Sequence, residues 1–174
     1  MENFSNETID VTTLPKFEET ALAGLEPAYW KVVLFNIALT FLIIASAAYL
    51  VFYFADNLPV QFWIVAVAFF TGLLLSVIIA MISFKNKGYA FREHDIIYRT
   101  GAIAISTHII PYNRIQHAAL HEGFISRKLG LAAVEIFTAG GDGSDMKIPG
   151  LKKAQAENLR QLIVGKIIKQ SADE

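Results

Sequence analysis

His117 and His121 stand four residues apart, a spacing that on a helix could hold zinc between two imidazoles. Here they fall in a segment that alternates like a strand. The chain has no cysteine, so His94, His108 or distant acids would have to complete a ligand set. Nothing in the spacing brings those groups together. The favoured reading is imidazoles packed or hydrogen-bonded at a sheet surface, with metal as the lesser alternative.

The run Gly140-Gly141-Asp142-Gly143-Ser144-Asp145 matches most of a calcium-binding β-roll repeat. Such a repeat needs stacked neighbours, and this one is single, with Lys147 where a large apolar residue belongs. A strand follows it, whereas a phosphate loop would lead into a helix. It is read as a hairpin turn. Ser83, Ser106, Ser126 and Ser144 lack the setting of a nucleophile, and Glu135 is a lone acid on a strand, expected to face solvent. No enzyme and no cofactor are expected.

The basic residues carry more information. Residues 85–174 hold thirteen Lys and Arg against nine Asp and Glu, whereas residues 1–30 hold six acids against Lys16. Arg127, Lys128, Lys152 and Lys153 mark two turns and are candidate contacts for lipid headgroups or a partner. An anionic surface attracts each such residue by about 1 kcal/mol when it lies close. Nucleic acid is not expected, because so small a charge excess lacks an aromatic-basic motif.

What positions these residues is a stretch without charge. Between Lys31 and Asp56 lie 24 residues free of formal charge, and 28 more lie between Asp56 and Lys85. At about 1.5 Å per residue, either run as a helix exceeds the roughly 30 Å hydrocarbon core of a bilayer. Asp56-Asn57-Leu58-Pro59 reads as a short turn, so the two spans are antiparallel and both flanking regions share one side. Lys16, Lys31, Lys85, Lys87, Arg92 and Arg99 flank the spans while the loop has no basic residue, which predicts both termini in the cytoplasm. The first span is too long for a signal peptide and follows an acidic segment, so it reads as an uncleaved anchor. Tyr29, Trp30 and Trp63 are expected as interface anchors. Ala68, Gly72, Ser76 and Ala80 recur every four residues, a stripe that lets helices approach closely in lipid. Asn36, Thr40 and Ala47 would supply the facing side. No acid, base or histidine lies within the spans, which argues against an ion or proton path.

After Lys85 short alternating segments follow, at Tyr89–Phe91, Asp95–Thr100, Ala102–Ile110, Ile115–His121, Ala132–Thr138 and Met146–Ile148. Phe124 to Gly130 reads as one helical turn. Beyond Pro149-Gly150 the period becomes 3.6, with Ala156, Leu159, Leu162, Ile163 and Ile167 in a stripe and Lys153, Glu157 and Arg160 opposite.

The run Ile110-Pro111-Tyr112-Asn113-Arg114-Ile115-Gln116-His117 resembles the signature of the bacterial pleckstrin-homology-like (YdbS-like) membrane proteins. Gly123-Phe124, Arg127 to Leu131, Thr138 to Gly141 and Ile148-Pro149-Gly150-Leu151 follow in the same order. The resemblance covers about residues 30–170 and implies a bent barrel of about seven strands plugged by a C-terminal helix. It also implies a complex with a larger protein carrying several such domains, and no settled reaction. Eukaryotic lipid-binding PH domains concentrate basic residues in the first hairpin turn. Here that turn is Glu93-His94-Asp95, which departs from the pattern.

The chain is thus read as a membrane α-helical hairpin followed by a small mainly-β PH-like barrel with a C-terminal amphipathic helix. Residues 1–28 form an acidic, largely extended tail. Residues 29–84 form the hairpin, with spans at about 32–54 and 60–84. Residues 85–174 form the cytosolic domain, its helix at about 151–169. The expected function is a non-enzymatic interaction module of the bacterial inner membrane, within a complex. Its expected partners are membrane lipid and either its own copy or a second PH-like membrane protein. The alternatives are an anionic-lipid sensor and an accessory subunit of a transport or secretion assembly.

Overall fold

The computed structural model describes residues 19–54, 61–139 and 145–172. The expected Asp56–Pro59 loop, the turn at 140–144 and most of the acidic tail lie outside them. A two-residue strand, β1 (Ala23–Gly24), precedes the helices α1 (Tyr29–Phe54) and α2 (Phe62–Asn86). Both are long and apolar enough to cross a membrane. Their side chains find little cover within the chain, for α2 has no buried residue and α1 only Val32. That exposure suits helices solvated by lipid and not the core of a soluble domain.

The helices meet along one stripe. Phe41 packs edge-on against Phe69 at 5.3 Å and lies across Gly72, where an added Cβ would stand 3.8 Å from its ring. Gly72, Ser76 and Ala80 lie on this half-buried side, but Ala68 is exposed. A four-residue repeat drifts about 40° per step around a helix of 3.6 residues per turn, so the end of the stripe rotates away and Phe69 replaces it. The expected facing residues Asn36, Thr40 and Ala47 are exposed as well. Val33, Ile37, Phe41, Ala48 and Phe52 form the partly covered side of α1.

The domain is built from two antiparallel sheets. β2 (Gly88–Phe91), β3 (Asp95–Thr100) and β4 (Ser106–Pro111) form a meander, and β1 pairs with β2 at its far edge. A 3-10 turn at Tyr112–Arg114 leads to the second sheet, β5 (Ile115–His121), β6 (Leu131–Thr138) and β7 (Met146–Lys152). A short helix, α3 (Phe124–Lys128), joins β5 to β6, and α4 (Lys153–Ala172) closes the chain. Register shifts between Ile115 and His117 and between Ala132 and Val134 bend the second sheet.

Several boundaries differ from the sequence reading, most by a residue or a few. Part of the segment assigned to the tail is an edge strand, and the strand expected from Ala102 starts only at Ser106. Leu151 and Lys152 finish β7 before α4 begins.

The core lies between the sheets and α4. Ile96, Val134, Ile136, Ile148, Ala156 and Ile163 have no exposed surface. Each buried Ile or Val contributes about 1.5–3 kcal/mol relative to exposure. Leu159 and Ile167 pack beside Ala156 and Ile163 on α4. Leu162, grouped with them by periodicity, is 43% exposed, because it lies about 100° around the helix from Ile163.

Candidate functional site

The strand register defines a membrane-proximal end of the domain. β2 starts at Gly88, directly after the last turn of α2, and runs away from it to the turn after Phe91. β3 returns, pairing Arg99 with Gly88, so the β3–β4 turn reaches back beside the end of α2. β5 runs toward the same end and β6 leaves it, which puts α3 there too.

Two junctions tie the helices to this end. At the first, the Glu26 backbone N–H donates to the Gly150 carbonyl at 2.9 Å, and Leu25 is buried in the core. Tyr29 packs directly on Gly150, where an added Cβ would lie 2.5 Å from the ring. Gly150 also has φ +66°, a conformation that favours glycine. Across the junction Tyr29 stacks on Phe84 at 6.4 Å and Trp30 tilts against it at 5.7 Å. At the second junction, Asn86 Nδ2 donates to the carbonyls of Gly101 at 3.3 Å and Ala102 at 3.5 Å. Arg99 Nε donates to the Asn86 carbonyl at 3.3 Å. Burial pulls the neighbouring Lys87 ammonium below the usual lysine range.

Of the expected anchors, Tyr29 and Trp30 are thus absorbed into helix–domain packing. Trp63, at the opposite end of α2, is 62% exposed and donates Nε1–H to Gln61 Oε1.

The four candidate cations all lie at the membrane-proximal end, but they divide. Lys152 pairs with Glu26 at 3.5 Å and Lys153 with Glu122 at 2.8 Å. The Glu122 carboxylate, by hydrogen bond and charge, holds Lys153 above the usual lysine range. Glu157, four positions along α4, adds a smaller attraction in the same direction. Arg127 and Lys128 have no ion pair among the described residues, and Lys128 Nζ lies 4.6 Å above the Phe124 ring. Between α3 and α1 runs a cleft of about 500 Å³, with Phe35, Asn36 and Leu39 on one wall and His121, Phe124 and Ser126 on the other.

The remaining candidates are not brought together. His117 stacks on Phe137 at 4.2 Å, while His121 lines the cleft. Among the described residues no three His, Asp or Glu side chains converge on a position that could hold a metal ion. Glu135 pairs with Lys147 at 2.7 Å across the β6–β7 ladder and keeps little exposure.

Residues 10–166 match the family of the bacterial PH domain, a range that takes in β1, both long helices and both sheets. The chain belongs to that family. It is similar to the transmembrane protein YdbS of Bacillus subtilis, with 33% identity over 130 residues that cover 72% of this chain and 77% of YdbS. No solved structure matches it. The protein is therefore a bacterial PH-domain membrane protein, and its motifs can be given physical roles. In Ile110-Pro111-Tyr112-Asn113-Arg114, Tyr112 is 1% exposed, and its hydroxyl donates to the Arg92 carbonyl at 3.1 Å. Its backbone N–H donates to the His94 carbonyl at 3.1 Å, so one residue ties the far turn of the meander to the start of the second sheet. Ile148-Pro149-Gly150-Leu151 contains the seat for Tyr29. Sequence reasoning marked Gly150 only as a break before a helix, because its partner lies more than a hundred positions earlier.

Proposed function

We propose that this PH-domain protein is a non-enzymatic interaction module of the bacterial inner membrane, with both termini cytoplasmic, acting as one subunit of a membrane protein complex. Its partner is a second PH-like membrane protein, and the contact is the outer edge of β4. This edge is the observation that carries the reading. Strand β4 pairs only with β3 among the described residues, so its other side offers unpaired backbone donors and acceptors. Soluble proteins protect such edges with charge or cover, yet Ser106–Pro111 contains no Lys, Arg, Asp or Glu, and Ile109 is 39% exposed. Beside the edge a gap of about 430 Å³, bordered by Arg114, Thr138 and Asp145, leaves room for an added strand. The side chains that could do chemistry serve structure instead, as Glu135 does with Lys147 and His117 with Phe137.

The test is crosslinking from position 107 in intact cells at native expression, followed by mass spectrometry. Crosslinks to a PH-like membrane protein are expected, and Ile109→Lys should abolish them with the thermal unfolding temperature unchanged. Recovery of monomer alone under mild detergent, without crosslinks, would remove the proposal.

A second reading rests on Arg127 and Lys128, which leave α3 charged and, among the described residues, without ion-pair partners at the membrane-proximal end: a sensor of anionic lipid. In nanodiscs of increasing anionic lipid content, hydrogen exchange in α3 should slow, and salt should reverse the effect. Indifference to both lipid and salt would sink it.

A further inference from the structure

The membrane-proximal end of the domain carries apolar side chains where a soluble surface would carry polar ones. Ile103, in the β3–β4 turn, is 92% exposed, and Ile105 is 55% exposed. Single exposed apolar residues are common on soluble proteins and carry no meaning by themselves. Three observations set this turn apart. First, it is charge-free well beyond its tip, since no Lys, Arg, Asp or Glu occurs between Arg99 and Arg114. Second, it is a built turn. Gly101 has φ +127°, and a Cβ there would stand 1.9 Å from the Ala104 carbonyl oxygen, so the backbone closes tightly on itself. Third, its level is set. Asn86, which donates to the Gly101 and Ala102 carbonyls, is the last residue of α2, two positions beyond the charge-free run that ends at Phe84. The turn therefore sits where the second span leaves the hydrocarbon.

The first span has a counterpart. Phe124 of α3 is 62% exposed and lines the cleft with Phe35 and Leu39, which lie on α1 inside the charge-free run. Lys128 Nζ lies above the Phe124 ring, an apolar body with a cation beside it. That pairing suits the boundary where acyl chains meet phosphates.

We propose that the Ile103–Ile105 turn and Phe124 insert into the interfacial layer of the leaflet the spans enter, so that the bilayer itself is their partner. One apolar point stands beside each span, at the depth where lipid headgroups surround both helices. A protein partner on either point would have to displace those lipids. With the two junctions, the inserted points fix the tilt of the domain and thus the direction in which the β4 edge faces.

The chain has no cysteine, which permits single-site labelling. Spin labels at Ile103→Cys, Phe124→Cys and the exposed, distal Asn113→Cys would be compared in the full chain, reconstituted in phosphatidylcholine–phosphatidylglycerol vesicles. Collision with oxygen and with a water-soluble nickel complex is read by power saturation. At positions 103 and 124, nickel accessibility should be several-fold lower than at 113, while oxygen accessibility stays high. Nickel accessibility equal to that at 113 would overturn the proposal. Protection from oxygen and nickel alike would also overturn it, because a protein surface, and not lipid, would then cover the points. A second variant guards against a label that drags itself into lipid. Ile103→Asp with Ile105→Ser, both at exposed positions, should raise nickel accessibility at a Phe124→Cys label, and no change there would show that the turn is not a mounting point.

Discussion

The two junctions hold the domain to its helices by different physics. At the first, a partly buried aromatic ring sits on a glycine, a backbone bond runs from Glu26 to Gly150, and Leu25 reaches into the core. At the second, three long hydrogen bonds of 3.3 to 3.5 Å join Asn86 to Gly101, Ala102 and Arg99. Packing in a dense interior tolerates little change of shape, whereas polar contacts near a surface are exchanged for water at small cost. The first junction therefore belongs to the folding unit, and the second orients a turn on a unit already folded.

The largest effect should come from Gly150→Ala. The left-handed backbone costs about 1–2 kcal/mol for a residue with a Cβ. Driving that carbon into the Tyr29 ring adds about 1–3 kcal/mol of overpacking. A loss of roughly 2–5 kcal/mol is expected on thermal or denaturant unfolding in detergent. A Tyr29→Ala background removes the ring but keeps the Tyr29 Cβ, 2.7 Å from the added carbon, so Gly150→Ala should cost less there than in the wild-type chain, though still more than the backbone part. The double-mutant cycle measures that difference as coupling. Additive effects would mean that Tyr29 does not rest on Gly150, and the contrast between the junctions would fail.

The same contrast governs how much of the molecule was legible in its sequence. Charge-free runs announce spans because lipid excludes charge along their whole length, and the helices at Tyr29–Phe54 and Phe62–Asn86 agree closely with them. Strands bounded by turn residues, Asp95–Thr100 before Gly101 and Ile115–His121 before Gly123, were legible to the residue. The Ala23–Gly24 strand was not, for two residues have no period and their partner lies beyond both spans. Ile103 and Ile105 show how periodicity misleads. Their alternation reads as a strand face, but Gly101 turns the backbone so tightly that they stand on a turn. The candidate cations were found by charge, yet charge could not show that Glu26 and Glu122 hold Lys152 and Lys153 while Arg127 and Lys128, among the described residues, stay without ion pairs.

At the second junction Asn86→Ala removes two long hydrogen bonds from a partly buried site. The expected loss is about 0.5–1 kcal/mol, the low end for a neutral hydrogen bond. Hydrogen exchange should rise in residues 100–105 and stay unchanged around Gly150. Faster exchange at both places would mean that the junctions act as one unit, and the comparison would have to be redrawn.

The smallest effect is expected far from both junctions, where the β6–β7 hairpin closes. Asp145 Oδ2 accepts hydrogen bonds from the Thr138 backbone N–H and hydroxyl, each at 2.6 Å, and these hold its carboxyl below the ordinary value of 3.8. Because the folded value is depressed, the stabilisation is complete above the unfolded value and disappears as pH falls through the folded one. Asp145→Asn should therefore unfold at a lower temperature than the wild-type chain near neutral pH. The gap between them should narrow only below about pH 3.8. A gap that closed between pH 7 and 5 would assign the effect to another group. Hydrogen exchange around Gly150 should be indifferent to this substitution at every pH, since Tyr112 and the core separate the hairpin from the first junction. Loosening there would show that the domain transmits strain from end to end, so that the rigidity credited to Tyr29 and Gly150 would belong to the whole fold.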